Sequence, residues 1–393
     1  MKSRRLSRKR RRTAIVTAAA ASVVAGVALV PNWSAGAAVT DDPTVDAATK
    51  ATFQRLADAV FTDRTQALVE GAGAKETRHT AGFAGSVSLS GGQTREQASA
   101  LKQLRDRRGR LARLGETYRA GSTQVRLDAT QVKGRKAKVA VTETTTLTYG
   151  KTATKSPEST GFQAHHELTF SADRHGNWRL TGIRDTDDGY LAVNQVAKPE
   201  TAEPQAAAED DGPPSAVRAA TTRTAPANPK NFSASGYDYK AMVAYAQKYW
   251  SRYNPDYPNF NGHGAGGDCT NFVSQALKAG GWKHVPGYTY DFHKWFGNAE
   301  IQSDSFVGVN EWSWFALSSK RATSLANVYQ MDLGDVLQMD FNRDGSKDHT
   351  MIVTSRDRRG VPYVTYHSTN TYNRSVASLV ASYPNAAFYA YRT

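Results

Sequence analysis

The sequence predicts an α+β protein in which helices are followed by antiparallel strands, and this arrangement occurs twice along the chain. Apolar residues recur at helical spacing in residues 45–70 and 95–117, which predicts two helices. Four stretches rich in β-branched residues then alternate between apolar and polar positions, which predicts an antiparallel meander. Further on, a helix that begins at Cys269 precedes three more alternating stretches. Helices followed by runs of strands are typical of sheets packed on helices.

Residues 1–38 have the three parts of an export signal. A basic N-terminal run precedes the apolar stretch TAIVTAAAASVVAGVALV, and small residues follow it around Ala37 and Ala38. We therefore expect a signal peptide that is cleaved, leaving a secreted or cell-wall protein without a stable membrane anchor. The alternative is a retained anchor, because a membrane span needs about 20 apolar residues. The Arg4–Arg5 pair is compatible with twin-arginine export as well as with the Sec route.

The positive charge of the chain is concentrated in this predicted signal. The formal net charge is +14, from 50 basic and 36 acidic residues. Residues 1–12 contain eight basic residues and no acidic one, so the rest of the chain carries about +6. This distribution argues against a nucleic-acid partner, although a mild positive charge favours an anionic surface such as a cell wall. A single cysteine also excludes an intrachain disulfide.

Composition divides the predicted mature chain into three parts. A small α+β domain covers residues 45–195, a linker rich in Ala, Pro and Thr covers 196–230, and a second domain covers 231–393. Such a linker is typical of an extended spacer, so we expect the flanking domains to move semi-independently. The first domain's histidines lack metal-ligand spacing, and we assign it no chemistry; they are His79, His165, His166 and His175.

The only cysteine lies at the predicted start of a helix. Asp268 is a good N-cap residue, a role that we favour over a catalytic one, and the helix from Cys269 to Ala279 is closed by Gly280 and Gly281. A helix N-terminus lowers the pKa of a thiol, and its free N–H groups can stabilise an oxyanion. The position therefore suits a nucleophile, although free cysteine is also often a small buried residue.

Two histidines downstream could serve such a nucleophile. A thiol nucleophile needs a general base, and that base needs an orienting partner. His349 begins the predicted strand DHTMIVTSRD, where it shares a face with Met351, and His367 shares a face with Thr365 at the end of VPYVTYHSTN. If these strands are neighbours, the two imidazoles can face each other across the sheet edge, as in a nucleophile, base and orienter triad.

The order of these motifs resembles a known family. GDCTNFVSQAL, then DHTMIVT, then YHSTN are similar to the amidase domain of secreted bacterial proteins, over about residues 236–393. This family is part of the papain-like clan, which includes the CHAP amidases and the NlpC-type cell-wall peptidases. The resemblance implies a papain-like core, in which the helix that bears the cysteine packs on an antiparallel sheet.

The resemblance also implies a role for each site residue. Carried over by position, Cys269 matches the nucleophile, His349 the general base and His367 the polar residue that orients the base. Three nearby residues are alternatives for these roles: His263 for the base, and Asn370 and Asn373 for the orienting residue.

The reaction expected from these residues is hydrolysis of an amide through an acyl-enzyme. The thiolate attacks the carbonyl, the histidine transfers the proton, and water releases the acyl group. Export and positive charge favour peptidoglycan amides as the substrate. Two alternatives remain open: a non-catalytic cell-wall binding protein that keeps the fold, and an acyltransferase that uses the same cysteine.

One further loop has the pattern of a cation site. DFNRDGSKD resembles the first half of an EF-hand loop, with Asp340, Asn342, Asp344 and Asp348 as candidate Ca²⁺ ligands. The twelfth position is Met351 and not the bidentate Glu that such a loop requires. We therefore favour a hairpin turn built from Asp, Asn and Gly, and expect no cofactor, with Ca²⁺ as the alternative.

Overall fold

The computed structural model of the protein describes residues 39–71, 88–150, 156–187, 192–196, 213, 215–261 and 267–393. The predicted signal peptide lies outside these residues, as do His79 and His263. Within these ranges, no helix combines the length and the apolar character needed to cross a membrane. The described residues form an α+β fold with a large, mainly antiparallel sheet, which confirms the predicted class.

The N-terminal module, which we define as the described residues between 39 and 196, contains both predicted helices and the predicted meander. Its elements are α1 (Ala47–Gln66), β1 (Ser88–Leu89), α2 (Gly91–Arg113), β2 (Tyr118–Lys133), β3 (Lys136–Tyr149), β4 (Ser159–Ala172) and β5 (Trp178–Asp185). Asp46 and Ser90 cap the two helices, because their side chains accept hydrogen bonds from backbone N–H groups of the first turn. Strands β2 to β5 pair antiparallel in chain order.

A buried ionic cluster ties this module together. The His166 ring stacks on Phe61 of α1, its Nδ1 lies 2.9 Å from Asp185 Oδ1, and its Nε2 lies 3.1 Å from Glu143 Oε2. Burial disfavours the charged ring, but the hydrogen bonds to Asp185 and Glu143 outweigh it and raise the pKa of His166 to about 9. The cluster therefore joins one helix to strands β3, β4 and β5.

The C-terminal part contains the predicted cysteine-bearing helix and the three predicted strands, together with several elements that sequence patterns did not predict. Its elements are α3 (Tyr239–Tyr249), α4 (Cys269–Ala279), α5 (Asp304–Val307), α6 (Val309–Ser318), β6 (Thr323–Leu325), β7 (Val336–Asp340), β8 (His349–Arg356), β9 (Pro362–Tyr366), β10 (Thr371–Ser375), α7 (Val376–Ser382) and β11 (Ala387–Arg392). The sheet order across these strands is β10-β9-β8-β7-β11-β6.

The two faces of this sheet belong to different hydrophobic clusters. On one face, Ile352 of β8 is in the cluster that contains Phe272 of α4. On the other face, the neighbouring Met351 is in the cluster that contains Leu379 of α7. Because successive residues of a strand point to opposite faces, this division determines which side chains of β8 can approach Cys269.

One sheet runs through both halves of the chain. Strand β10 pairs antiparallel with β4, so that Thr371 lies opposite Phe162 and Tyr372 lies opposite Gly161. A Cβ atom on Gly161 would lie 2.6 Å from the Tyr372 ring, so only glycine lets the two strands approach this closely. Residues Val39–Thr393 form one compact unit. The expectation of two semi-independent domains is therefore wrong, because β10 extends the sheet of the N-terminal module.

The second half of the predicted linker is also folded onto the protein. Ala219 N donates to Phe388 O at 2.7 Å and Ala220 N donates to Ala326 O at 2.8 Å, so residues 215–230 run along the C-terminal sheet. This segment ends in a buried ion pair, in which Lys230 Nζ lies 2.7 Å from Asp335 Oδ1. The prediction of a spacer is wrong for residues 215–230, because backbone hydrogen bonds hold them without any large apolar side chain.

We expect Lys230→Ala to destabilise the protein strongly, because it leaves the Asp335 carboxylate buried with fewer partners. The lost stability should be about 3 kcal/mol, as measured by urea unfolding. Lys50→Ala is the matched control, since Lys50 pairs with Asp41 at 3.1 Å on the surface and should cost less than about 1 kcal/mol. Equal losses in the two variants would contradict the importance of the buried pair.

Candidate active site

Helix α4 places Cys269 at the inner end of the candidate site. The helix begins at Cys269 and ends at Ala279, as predicted, and its buried residues include Phe272 and Val273. Because these apolar side chains pack against the sheet, the first turn of the helix lies close to the start of β8. Cys269 is buried in this position, with 1% of its surface exposed.

Two threonines surround the thiol. The Sγ atom of Cys269 lies 3.8 Å from Thr270 Oγ1, and the backbone of Thr350 is close enough to act against the rise in the pKa of the thiol. The hydroxyls of Thr270 and Thr350 are themselves 2.8 Å apart. The start of α4 is therefore joined directly to the second residue of β8.

Burial controls the ionisation of this thiol. Desolvation raises the pKa of Cys269 to about 11, although the hydrogen bonds from Thr350 and Thr270 act in the opposite direction. The pKa of Cys269 therefore lies above its ordinary value, and not below it as the helix N-terminus led us to expect, because desolvation is the largest cause of the shift. At neutral pH, Cys269 is therefore a thiol, and it needs a base before it can act as a nucleophile.

The Asp268 carboxylate is a buried hydrogen-bond acceptor. Asp268 lies at the N-cap position of α4, but its side chain accepts no capping hydrogen bond from the helix backbone. Its Oδ1 accepts hydrogen bonds from Phe260 N at 3.1 Å and Asn271 Nδ2 at 2.8 Å, and its Oδ2 lies 2.6 Å from His367 Nδ1. The predicted capping role is therefore wrong, because both oxygens are used by other groups.

His367 lies next to this carboxylate, on the side of the sheet that faces α4. Its ring stacks on Phe272 with a centroid distance of 4.1 Å, and Tyr253 packs against it at 4.5 Å. While Nδ1 is bonded to Asp268, Nε2 lies 2.8 Å from the backbone carbonyl oxygen of Tyr249. A carboxylate and a carbonyl are both hydrogen-bond acceptors, so each ring nitrogen of His367 lies beside an acceptor.

His349 lies on the other face of the sheet. It is the first residue of β8 and pairs with Met339, and its ring packs perpendicular to Tyr366 at 4.8 Å. Burial, together with the positive charge of Arg374, lowers the pKa of His349 to about 3. His349 shares its face with Met351, as strand periodicity predicted, and this is the face that packs against α7.

The two imidazoles therefore do not face each other, contrary to our expectation. Strand β8 pairs with β9 so that Ile352 lies opposite Thr365, on the α4 face of the sheet. By alternation, Thr350 and His367 also lie on that face, while His349 lies on the opposite one. The sequence pattern predicted the strands correctly, but the pairing register separates the two rings.

The two asparagines considered as alternatives to His367 take part in different contacts. Asn370 Oδ1 accepts a hydrogen bond from the Tyr253 hydroxyl at 3.1 Å, which places Asn370 near the ring that packs on His367. Asn373 Oδ1 accepts a hydrogen bond from Thr354 Oγ1 at 3.2 Å. Asn370 is thus the closer of the two to the Asp268–His367 pair.

The loop that resembles an EF-hand connects β7 to β8 as a hairpin turn. Asp340 accepts hydrogen bonds from the backbone N–H groups of Arg343 and Gly345, and Asp348 Oδ2 accepts one from Phe341 N at 2.7 Å. Two further candidate ligands, Asn342 and Asp344, also accept hydrogen bonds from backbone N–H groups of the loop. In the described part of the chain, no group of three or more His, Cys, Asp or Glu side chains is placed to hold a metal ion.

Sequence reasoning missed Thr350 and the backbone carbonyl of Tyr249. The signal for Thr350 was present, since it follows His349 directly and strand alternation places neighbouring side chains on opposite faces. The Tyr249 carbonyl could not be found from sequence patterns, because Tyr249 and His367 are 118 residues apart in the chain.

Because Cys269 is the only cysteine, alkylation by iodoacetamide reports on its ionisation. We expect the rate for the folded protein to rise about tenfold per pH unit up to about pH 10, since the buried thiol ionises only near pH 11. Protein unfolded in urea is the control, and its rate should level off above about pH 8.5. A plateau below pH 8 in the folded protein would contradict the raised pKa.

Part of the chain is similar in sequence to known proteins. Residues 236–391 match the model of a family described as "Putative amidase domain". Uncharacterized protein YhbB of Bacillus subtilis (strain 168) is 34% identical over 142 residues, which cover 35% of this chain and 44% of that protein. Uncharacterized protein YjcM of the same strain is 34% identical over 151 residues, which cover 36% of this chain and 33% of that protein. The chain thus spans less than half the length of either relative.

One solved structure, the intermembrane space region of chloroplast protein ARC6, was also matched. It is 16% identical, covers 36% of this chain and 98% of its own, and has a TM-score of 0.21, which is too low to indicate a shared fold. The family match covers both Cys269 and the Asp268–His367 pair. Residues 236–391 are therefore similar to the amidase-domain family, which confirms the resemblance predicted from the sequence.

Proposed function

We propose that this protein is a cysteine-dependent amidase and that Cys269 is the nucleophile. The observation that carries this proposal is the buried Asp268–His367 pair, 2.6 Å apart, directly beside the helix start that bears the only cysteine. An imidazole held by a carboxylate next to a thiol is the arrangement used to activate cysteine nucleophiles. These residues lie in the region that matches an amidase family.

We assign the role of general base to His367 and the orienting role to Asp268. A thiol with a pKa near 11 transfers its proton readily only to a good acceptor, and an adjacent carboxylate stabilises the imidazolium that results. The resemblance implied that His349 is the general base. Its buried ring has a pKa of about 3 and lies on the face of the sheet away from α4, so it is a poor acceptor for the proton of the thiol. In the closed site, His367 Nε2 donates to the Tyr249 carbonyl, so the ring must leave this partner and release its Nε2 proton to solvent before it can accept the proton of the thiol.

The reaction then follows the steps of acyl-enzyme chemistry. His367 takes the proton of Cys269, and the thiolate forms a bond to the amide carbonyl carbon. Free backbone N–H groups at the start of α4 stabilise the oxyanion. The imidazolium donates its proton to the leaving amine as the C–N bond breaks, and water then hydrolyses the thioester, releasing the acid and the thiol.

Peptidoglycan is the substrate that we propose, in the cell wall or outside the cell. The proposal is supported by the export signal expected in residues 1–38, for either Sec or twin-arginine transport, and by the net charge of about +6 outside it. Stem-peptide bonds and the muramoyl–alanine amide are the amides that such an enzyme would hydrolyse.

We expect Cys269→Ala to abolish the release of free amines or stem peptides from purified peptidoglycan. The loss in kcat/KM should be about 10³-fold or more, because no other group can form the acyl-enzyme. His175→Ala is the control, since this side chain is exposed in the turn between β4 and β5. Equal product release by Cys269→Ala and wild-type protein would refute catalysis by Cys269.

The same assay separates the two histidines. We expect His367→Ala to lower kcat/KM about 10²- to 10⁴-fold, as removal of a general base does. His349→Leu should change kcat/KM less than about tenfold, because this ring lies on the face away from α4. A large loss in His349→Leu with little loss in His367→Ala would return the role of base to His349.

The burial of Cys269 is the one observation that favours a non-catalytic cell-wall binding protein. In such a protein, the wild type and the Cys269→Ala variant would bind peptidoglycan equally well, and neither would release product from it. An acyltransferase, in contrast, would lose activity in Cys269→Ala and would form a new amide when an amine is added. Product analysis with and without an added amine therefore distinguishes the three activities.

A further inference from the structure

The N-terminal module lies outside the family match, yet it contacts the candidate active site at two places. The first contact is the seam between β4 and β10, where Gln163 N donates to the backbone oxygen of Asn370 at 2.9 Å. The side chain of Asn370 accepts a hydrogen bond from the Tyr253 hydroxyl at 3.1 Å, and the Tyr253 ring packs on His367. This contact connects the N-terminal sheet to the candidate base.

The second contact is made by a buried carboxylate just after β5. Asp187 accepts hydrogen bonds from the backbone N–H of His165 at 2.7 Å and from Asn261 Nδ2 at 3.1 Å, and its Oδ1 lies 2.8 Å from His165 Nδ1. Only 5% of the Asp187 side chain is exposed. Asn261 is therefore tied to the N-terminal module by a carboxylate that is itself held at two points on β4.

Asn261 is next in sequence to a residue that binds the Asp268 carboxylate. The preceding residue, Phe260, donates its backbone N–H to Asp268 Oδ1 at 3.1 Å. In the same segment, the Pro258 carbonyl accepts a hydrogen bond from Asn271 Nδ2 of α4 at 2.9 Å. A shift of this segment would therefore move both a donor to Asp268 and a contact of the helix that bears Cys269.

The two contacts reach the Asp268–His367 pair by different residues. The Asn370 contact ends at Tyr253, whose hydroxyl donates to Asn370 Oδ1 at 3.1 Å, whereas the Asp187–Asn261 contact reaches Asp268 through the neighbouring Phe260. The Tyr253 ring in turn covers one face of His367. The position of the His367 ring thus depends on two hydrogen-bond routes that begin outside the amidase region.

We propose that Asp187 is a positioning residue of the candidate active site, which it supports through Asn261 and Phe260 by keeping Asp268 and His367 in place. The inference rests on the proposed function for its effect on catalysis. It makes the N-terminal module a structural part of the active site and not a separate targeting unit. Displacements of about 1 Å in catalytic groups can lower rates by about 10²-fold, so the loss of this link has a measurable effect.

The test compares variants of the protein that contain every residue after the predicted signal. Both kcat and KM are measured on peptidoglycan fragments. We expect Asp187→Ala and Asn261→Ala each to lower kcat about 10- to 100-fold with KM changed less than about threefold. The double variant should lose no more than the worse single variant, because the two residues act through one hydrogen bond. Asp187→Asn keeps an acceptor for Asn261, so it should restore part of the lost kcat.

His175→Ala is the control within the same module, and its kcat should stay within about twofold of the wild-type value, as for an exposed residue. If Asp187→Ala fails to fold, as judged by urea unfolding, Asn261→Ala decides the question, because it leaves the Asp187–His165 pair intact. Folded Asn261→Ala protein with kcat within about twofold of the wild-type value would overturn the proposal, as would additive losses in the double variant.

A second readout does not depend on amide hydrolysis. We expect the alkylation rate of Cys269 by iodoacetamide to change at least about fivefold in Asp187→Ala and Asn261→Ala, and less than about twofold in His175→Ala. If the wild-type protein hydrolyses no amide, the proposed function fails, and the alkylation rates still test the link. Unchanged alkylation in both variants would then overturn the positioning role of Asp187.

Discussion

The pairing of β10 with β4 is the constraint on which the rest of the structure depends. It joins the meander of the N-terminal module to the sheet that supports α4, and it requires glycine at position 161, where the Tyr372 ring leaves no room for a Cβ atom. Once the strands are paired, the Asn370 carbonyl is fixed by Gln163 at the end of the turn that follows His367. The pairing of β10 with β4 involves only two pairs of residues, yet it determines where one wall of the candidate site lies.

Asp268 is the residue of the candidate site that joins segments distant in the sequence. A buried carboxylate is costly unless hydrogen bonds replace its hydration, and Asp268 obtains them from a loop, from α4 and from His367 after β9. The same contacts that satisfy the charge also place an imidazole beside the helix start. The requirement to satisfy one charge thus assembles the groups that we propose to act on an amide.

Burial gives the site a closed resting form. The thiol is protonated at neutral pH because desolvation raises its pKa, and both ring nitrogens of His367 contact acceptors. In the mechanism that we propose, the nucleophile becomes active only when a bound substrate alters these contacts, and burial of the thiol also limits its oxidation. The N-terminal module contributes to the same arrangement through Asp187, so the two halves of the chain act as one unit.

The sequence by itself determined the local elements. Helical spacing and the glycines after Ala279 defined α4, and alternation defined β2 to β5 and β7 to β9, because these patterns depend on residues only a few positions apart. Only the tertiary structure decided that Thr350 and not His349 lies on the α4 face, that residues 215–230 pack on the sheet, and that Asp187 reaches Asn261. Strand register, burial and contacts between distant segments are set by how elements pack, and no periodicity within one segment contains that information.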